Sequence, residues 1–263
     1  MKIKLILAVG LLMVLNMTFI YGKEFDPVQE IADMNKLEKY LKTAEIFEVE
    51  IDKYEGRTAP WGVVLNDGEI YRQAIFKYVN RLRPTHLPDS YHYEIAAYKV
   101  SKLMEYPVVP PVVEREIKET LGSLHLFLEG CFSLGQQQRR GIEPTDSQEF
   151  SDALSELAVF ENLVFCERDS EDIYIQESDW KVWHVDFSEA FAPIAELNSE
   201  AAITRCSKEF FHNLQRLEAS EIKKVLQPHL NDEEIDALLK RTDLVIDKIK
   251  QLIEEKGEDA VLF

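Results

Sequence analysis

The sequence predicts an α+β protein in two lobes, a sheet-rich one followed by a helical one. Three observations carry this. Short β-branched and aromatic runs joined by turn residues fill the chain up to Gly130, helical periodicity dominates beyond it, and an apolar content of 46% over 263 residues is enough for a large core. The expected organisation is a signal peptide over 1–22, a sheet-rich lobe over 23–130 and a helical lobe over 131–263.

At the start, Lys2 and Lys4 precede an apolar run from Leu5 to Leu15 and a more polar end near Gly22, the layout of a secretory signal. Cleavage near Gly22 would place Ile20 three positions before the cut, where a small residue is usual, so an uncleaved N-terminal membrane anchor is the alternative. Export to the periplasm or the exterior is expected either way, with no stable membrane span once the signal is cleaved. No Cys lies near the cut, which disfavours a bacterial lipid anchor.

The elements follow in order. Asp33 to Lys42 reads as a polar-rich helix and Ala44 to Ile51 as a strand. Trp61 to Leu65 and Ile70 to Tyr78 are β-runs separated by Asn66-Asp67-Gly68-Glu69, whose Asp-Gly pair favours a tight hairpin. A loop with Pro84 and Pro88 leads to a helix over Ser90 to Met104, where Ala96, Val100, Leu103 and Met104 keep helical spacing until Pro107, Pro110 and Pro111. Leu124, Leu126 and Leu128 alternate with Ser123, His125 and Phe127 in a strand from Gly122 to Glu129, and Gly130 marks a hinge.

Beyond the hinge, Gln148 to Phe165 reads as one helix, and Phe210, Phe211, Leu214 and Leu217 form the stripe of another. Asn231 with Glu234 resembles a capping box ahead of Ile235, Leu238 and Leu239, while Leu244, Ile249, Leu252 and Ile253 line a last helix ending near Gly257.

Thirty basic residues against 48 acidic ones give a formal charge of −18, and loss of Lys2 and Lys4 with the leader takes it to −20. That sign argues against a nucleic-acid partner, whose phosphates need Lys and Arg. Cys131, Cys166 and Cys206 allow at most one internal disulfide, and buried free thiols are the simpler expectation. The six histidines are scattered without paired helical spacing, so nothing in the sequence points to zinc.

The acidic cluster Glu167-Arg168-Asp169-Ser170-Glu171-Asp172 stands out, with Asp186 fourteen residues beyond it. Ile173-Tyr174-Ile175 and the run from Trp180 to Val185 can form a hairpin that brings Asp172 and Asp186 together, and two converging carboxylates suit Mg²⁺. Phosphoryl transfer needs a lysine on the phosphates, a carboxylate orienting it, metal-binding side chains and a carboxylate near the attacking hydroxyl. Lys77 on a β-run, Glu94 on the next helix, Asp172 with Asp186, and Glu167 supply one candidate for each. A lone strand lysine is ordinarily a solvated surface residue; the ordered set favours the functional reading.

Leu41-Lys42-Thr43-Ala44-Glu45-Ile46, Gly56-x-Thr58-x-Pro60, Ala74-x-Phe76-Lys77, Tyr91-x-x-Glu94-x-Ala96-Ala97-Tyr98, Val109-Pro110-Pro111-Val112 and Gly122-Ser123-Leu124 occur in a familiar order. They are followed by Trp180-Lys181-Val182-Trp183-His184-Val185-Asp186-x-x-x-Ala190-Phe191 and the tail Gly257 to Phe263. In this order the chain resembles bacterial atypical kinase-like proteins, a group similar to phosphatidylinositol kinases and the secretory-pathway kinases of animals. The resemblance implies a protein-kinase-like fold, ATP as co-substrate and Mg²⁺ or Mn²⁺ as cofactor. It implies that Lys77 contacts the phosphates, that Glu94 pairs with Lys77, and that Asp186 binds the metal with Asp172. Gly56, Thr58 and Pro60 would cover the nucleotide, and Glu129 beside the hinge would join the nucleotide contacts.

The departures lie in the catalytic loop. Where the family usually shows Asp-Arg-x-x-x-Asn, this chain has Glu167 as the base and Asp172 as the metal ligand, and Phe165-Cys166 replaces a pattern that usually carries Gly and Asn. A glutamate base shifts its carboxylate by one methylene, and a misplacement of about 1 Å can cost on the order of a hundredfold in rate. The leading expectation is an exported kinase-like protein binding ATP with Mg²⁺ and transferring phosphate slowly to an envelope or secreted protein or a small-molecule hydroxyl. The alternative is a pseudokinase acting as a binding module, favoured by the scarcity of ATP outside a bacterial cytoplasm. A glycosidase using Glu167 or Glu171 as its acid is the least favoured reading.

Overall fold

Leu37 and Leu41, one helical turn apart, give an otherwise polar segment a single apolar face, and both are buried in helix α1 (Met34–Thr43). The computed structural model describes residues 34–51, 53–54, 58–83 and 88–263. Residues 1–22, where the sequence predicts a signal peptide, together with Gly56 and Pro84, lie outside the described residues.

Strands β1 (Glu45–Glu50), β2 (Trp61–Asn66) and β3 (Tyr71–Lys77) run antiparallel, β2 and β3 pairing Trp61 with Phe76 and Asn66 with Tyr71. The turn between them forms as the sequence predicts. Asn66 Oδ1 accepts the Gly68 N–H at 2.7 Å, Asp67 Oδ1 accepts those of Glu69 and Ile70, and Gly68 takes a left-handed φ of 95°. A short ribbon of β4 (Asn80–Arg81) and β5 (Asp89–Ser90) then delivers α2 (Tyr91–Leu103), capped by Ser90 Oγ accepting the His92 N–H.

β6 (Val112–Ile117) and β7 (Thr120–Leu126) complete a five-stranded sheet in the order β1-β2-β3-β7-β6. The sequence reading finds β7 but misses β6. Adjacent buried Val112 and Val113 followed by Glu114-Arg115-Glu116 break the alternation that marks a half-buried strand. Gly122 is required where β7 crosses the end of β3, since a Cβ there would lie 2.4 Å from the Lys77 carbonyl oxygen.

The helical lobe begins with β8 (Cys131–Ser133) and α3 (Leu134–Arg140), followed by the long α4 (Ser147–Val164), capped by Asp146. β9 (Ile173–Gln176) and β10 (Val182–His184) pair antiparallel and join β8 in a three-stranded sheet. After α5 (Lys208–Gln215) and α6 (Ala219–Leu226), α7 (Asp232–Lys256) runs 25 residues from a full Asn231/Glu234 capping box and is followed by α8 (Glu258–Val261).

The sequence suggests two helices where α7 is one. Lys240-Arg241-Thr242-Asp243 looks like a polar break, yet Arg241 is 0% exposed and donates to the carbonyls of Leu163, Ala192 and Ile194. A buried guanidinium that donates to three carbonyls through Nε and Nη1, with Nη2 left unpaired among the described residues, lets the helix continue through the polar run.

Two apolar cores result. One lies under the first sheet and includes Leu41, Leu65, Phe76 and Leu124, together with Trp183 from β10. The other unites α2, α4, α5 and α7, so α2 belongs with the helical core even though it lies between strands of the first sheet in the chain. All three cysteines are free. Burial pushes the Cys131 and Cys206 thiols up to about 12, which leaves them unreactive.

α1 is fastened to α2 by Glu38, which accepts from Lys102 Nζ at 2.6 Å and Tyr98 Oη at 3.1 Å and pairs with Lys42. Burial would raise this carboxyl, but Lys102 and Lys42 overcome it and hold it at about 2. A depressed folded-state pKa gives stability that is present above the unfolded value and lost as pH falls through the folded one. Glu38→Gln is therefore expected to lose about 1 kcal/mol near neutral pH, reduced from the full linkage value because both lysines are substantially exposed. Urea unfolding of the two proteins should converge as pH falls from 4.5 toward 2; a constant difference would place the effect outside this charge.

Candidate functional site

Alternation along β3 buries Arg72, Ala74 and Phe76 on one face and leaves Lys77 on the other, at the strand end. Lys77 Nζ donates to Glu94 Oε1 at 2.6 Å and pairs with Asp186 Oδ1 at 2.9 Å. Glu94, in the first turn of α2, is 1% exposed, and its other oxygen accepts the Phe187 N–H at 2.9 Å. One buried carboxylate thus fixes both the strand lysine and the backbone just after Asp186.

The β9–β10 hairpin brings Asp172 to the same place. His184 pairs with Ile173, and the next step outward is the Val185 N–H donating to the Asp172 carbonyl at 2.9 Å. Asp186 then turns out of the strand with φ of 63°, a left-handed conformation that Asp tolerates better than most residues. Its segment is held by Arg83, which donates to the Glu189 and Ala190 carbonyls, and by the Ser90 N–H donating to the Ser188 carbonyl. Phe187 is fully buried against Phe160 and His184.

The charges answer one another. Burial opposes the charge on Lys77, but Glu94 and Asp186 raise its pKa and keep it an ammonium. Burial pushes the Glu94 carboxyl up against the pull of Lys77. Asp186 is held well below the usual carboxylate range because Lys77 outweighs its desolvation. Asp172 goes the other way, pushed up to about 7 by burial and then by repulsion from Asp186.

Three carboxylates around one ammonium leave an excess of negative charge at Asp172 and Asp186, both offering oxygen donors. That donor set fits Mg²⁺ or Mn²⁺.

The remaining candidates lie elsewhere. Glu167 is exposed and makes no side-chain hydrogen bond or ion pair among the described residues; it borders a cavity of about 300 Å³ with Glu161, Cys166, Arg168 and Asn198. Arg168 beside it is structural, its guanidinium pairing with Glu161 at 2.7 Å. Glu171 is tied to Arg139 and accepts from Ser133 Oγ, and the Arg139 hydrogen bond holds its carboxyl down, which works against service as an acid. Glu129 is half-buried and within electrostatic reach of Arg72. Thr58 sits in the turn before β2, while Gly56 is outside the described residues.

Phe165 occupies the left-handed position that closes α4, φ 54°, with the Arg241 guanidinium 5.3 Å from its ring centroid. A glycine would adopt that conformation without cost, so the departure at this position is offset by a cation–π contact. A cavity of about 1000 Å³ between α4 and the β9–β10 turn contains none of the candidate residues. Charge convergence, not cavity size, defines the site. The sequence reading misses Phe187 and Ser188, whose contacts with Glu94 and Asp186 carry no spacing signal.

No protein-family model matches the chain, and no curated protein sequence does. Solved structures do. Hydra Fam20, determined with a sugar, superposes with a TM-score of 0.66 at 16% identity over 93% of this chain and 95% of that one. The Helicobacter pylori proinflammatory kinase CtkA superposes with a TM-score of 0.51 at 10% identity over 84% of this chain and all of that one. The sheet-rich and helical lobes with Lys77, Glu94 and Asp186 between them therefore form a kinase-like α+β fold.

Proposed function

We propose that this chain is an exported kinase-like phosphotransferase that binds ATP with Mg²⁺ or Mn²⁺ and transfers phosphate slowly to a hydroxyl of an envelope or secreted protein or of a small molecule. The observation that carries the reading is Lys77 held between Glu94 and Asp186 at 2.6 and 2.9 Å. In this reading Lys77 binds the phosphates, Glu94 orients Lys77, and Asp172 and Asp186 hold the metal, with Gly56, Thr58 and Glu129 on the nucleotide. Bound metal supplies charge neutralisation at the transferring phosphoryl group. Glu167 accepts the proton of the attacking hydroxyl. The apolar start of the chain supports export.

A second reading is a pseudokinase binding module, and the observation favouring it is that Glu167 stands exposed and outside the Lys77 network. Nucleotide titration with and without Mg²⁺, followed by ATP hydrolysis, divides the two. An enzyme limited by the reach of its base should gain about ten- to a hundredfold in turnover from Glu167→Asp. Metal-dependent binding with no turnover in either protein would establish the module, and failure to bind any nucleotide would end both readings.

A further inference from the structure

Away from the cleft, α2, β6 and the α6–α7 connection place His92, Glu114 and His229 against one another, with one possible ligand atom from each within 4.8 Å of the other two. The two imidazole Nδ1 atoms are 3.4 Å apart. Two nitrogens bound tetrahedrally at about 2.0–2.1 Å stand roughly 3.3–3.4 Å from each other, so the pair already has zinc spacing. We propose that His92, Glu114 and His229 form a zinc site whose fourth position is open to water.

The ligand set selects the metal. Two imidazoles and one carboxylate suit Zn²⁺, whereas Mg²⁺ and Ca²⁺ prefer oxygen ligands throughout. Both histidines are half-buried and Glu114 is exposed, which leaves one side accessible. Burial disfavours the charged form of both rings, lowering the pKa of His92 and taking His229 down to about 4, which favours the neutral imidazole that a metal needs. Glu114 faces His92, while Lys99 faces both Glu114 and His229 and opposes a bound cation.

A bound ion would join the first sheet to the helical lobe through α2. His92 stands two residues before Glu94, about 200° around the helix, so the ion grips the face of α2 opposite the one that holds Lys77. The site is thus separate from the cleft carboxylates and positions the helix that carries Glu94.

The alternative is a plain His–His hydrogen bond. Calorimetry and thermal melting of the chelator-stripped protein with ZnCl₂ separate the two, using the Asp172→Asn/Asp186→Asn chain as a parallel sample to remove the cleft carboxylates. One Zn²⁺ per chain at micromolar affinity or tighter is expected in both samples, with a rise in melting temperature that MgCl₂ does not reproduce. His229→Gln and His92→Gln should each weaken binding at least a hundredfold, and Glu114→Gln about tenfold. Two histidine positions are tested so that misfolding of one variant leaves the other informative, and circular dichroism checks each fold. Absence of zinc binding, affinity indifferent to both histidines, or loss of binding in the Asp172→Asn/Asp186→Asn chain would overturn the site.

Discussion

Lys77→Met is expected to lower folding stability by about 3–5 kcal/mol and to weaken metal-dependent nucleotide binding at least a hundredfold. The stability loss comes from Glu94. At 1% exposure this carboxylate cannot recover hydration, and Lys77 is its counter-ion while the Phe187 N–H supplies one further hydrogen bond. Without the ammonium this carboxyl, already pushed up to about 7 by burial, must either stay an unpaired buried charge or take up a proton on folding, and both cost stability. Asp186 suffers less because its side chain is 45% exposed. The double variant Lys77→Met/Glu94→Gln should therefore recover a large part of the lost stability without recovering nucleotide binding, a non-additivity expected of two groups in contact. Urea unfolding of the four proteins in this cycle measures it. A loss below about 1 kcal/mol for Lys77→Met would mean that the pair is hydrated as an exposed bridge is.

The parts of this network that the sequence shows are those written in local pattern. Alternation in 71–77 sets the face of Lys77, Ser90 caps the helix that raises Glu94, and two short apolar runs make the hairpin that joins Asp172 to Asp186. The order of sheet-rich and helical parts follows from the same kind of signal, whereas the kinase-like architecture rests on the resemblance carried by the ordered motif fragments. Contacts without local pattern stay hidden. The Phe187 N–H meets Glu94 across 93 residues, Arg241 reaches three carbonyls across 47 to 78, and His92 meets His229 across 137. β6 is hidden for another reason: its buried positions are adjacent Val112 and Val113, with charged residues after them. Glu167 rests on motif position alone, and no local pattern in its loop sets the direction of its exposed side chain.

Asp172→Asn and Asp186→Asn should move stability and metal response differently, because the two carboxylates sit in opposite fields. Asp172 is pushed up to about 7 by burial and by Asp186, whereas Lys77 holds Asp186 ionised. A carboxyl whose folded-state pKa is raised costs stability as pH rises from its unfolded value of 3.8 through about 7. Asp172→Asn removes that cost, so without added metal it should stabilise the fold by about 1–2 kcal/mol at pH 8 and by little at pH 4. Asp186→Asn takes a half-exposed partner from Lys77 while Glu94 remains, so its own stability change should stay within about 1 kcal/mol. Both substitutions remove negative charge from the metal donors, and each should weaken the Mg²⁺-dependent rise in melting temperature with ATP, Asp186→Asn the more completely. Thermal melts at pH 4 and pH 8, with and without Mg²⁺ and ATP, contain all four comparisons. If Asp172→Asn does not stabilise the metal-free protein at pH 8, burial and Asp186 together place no cost on its carboxylate. A Mg²⁺ response that survives both substitutions would show that these carboxylates do not hold the metal.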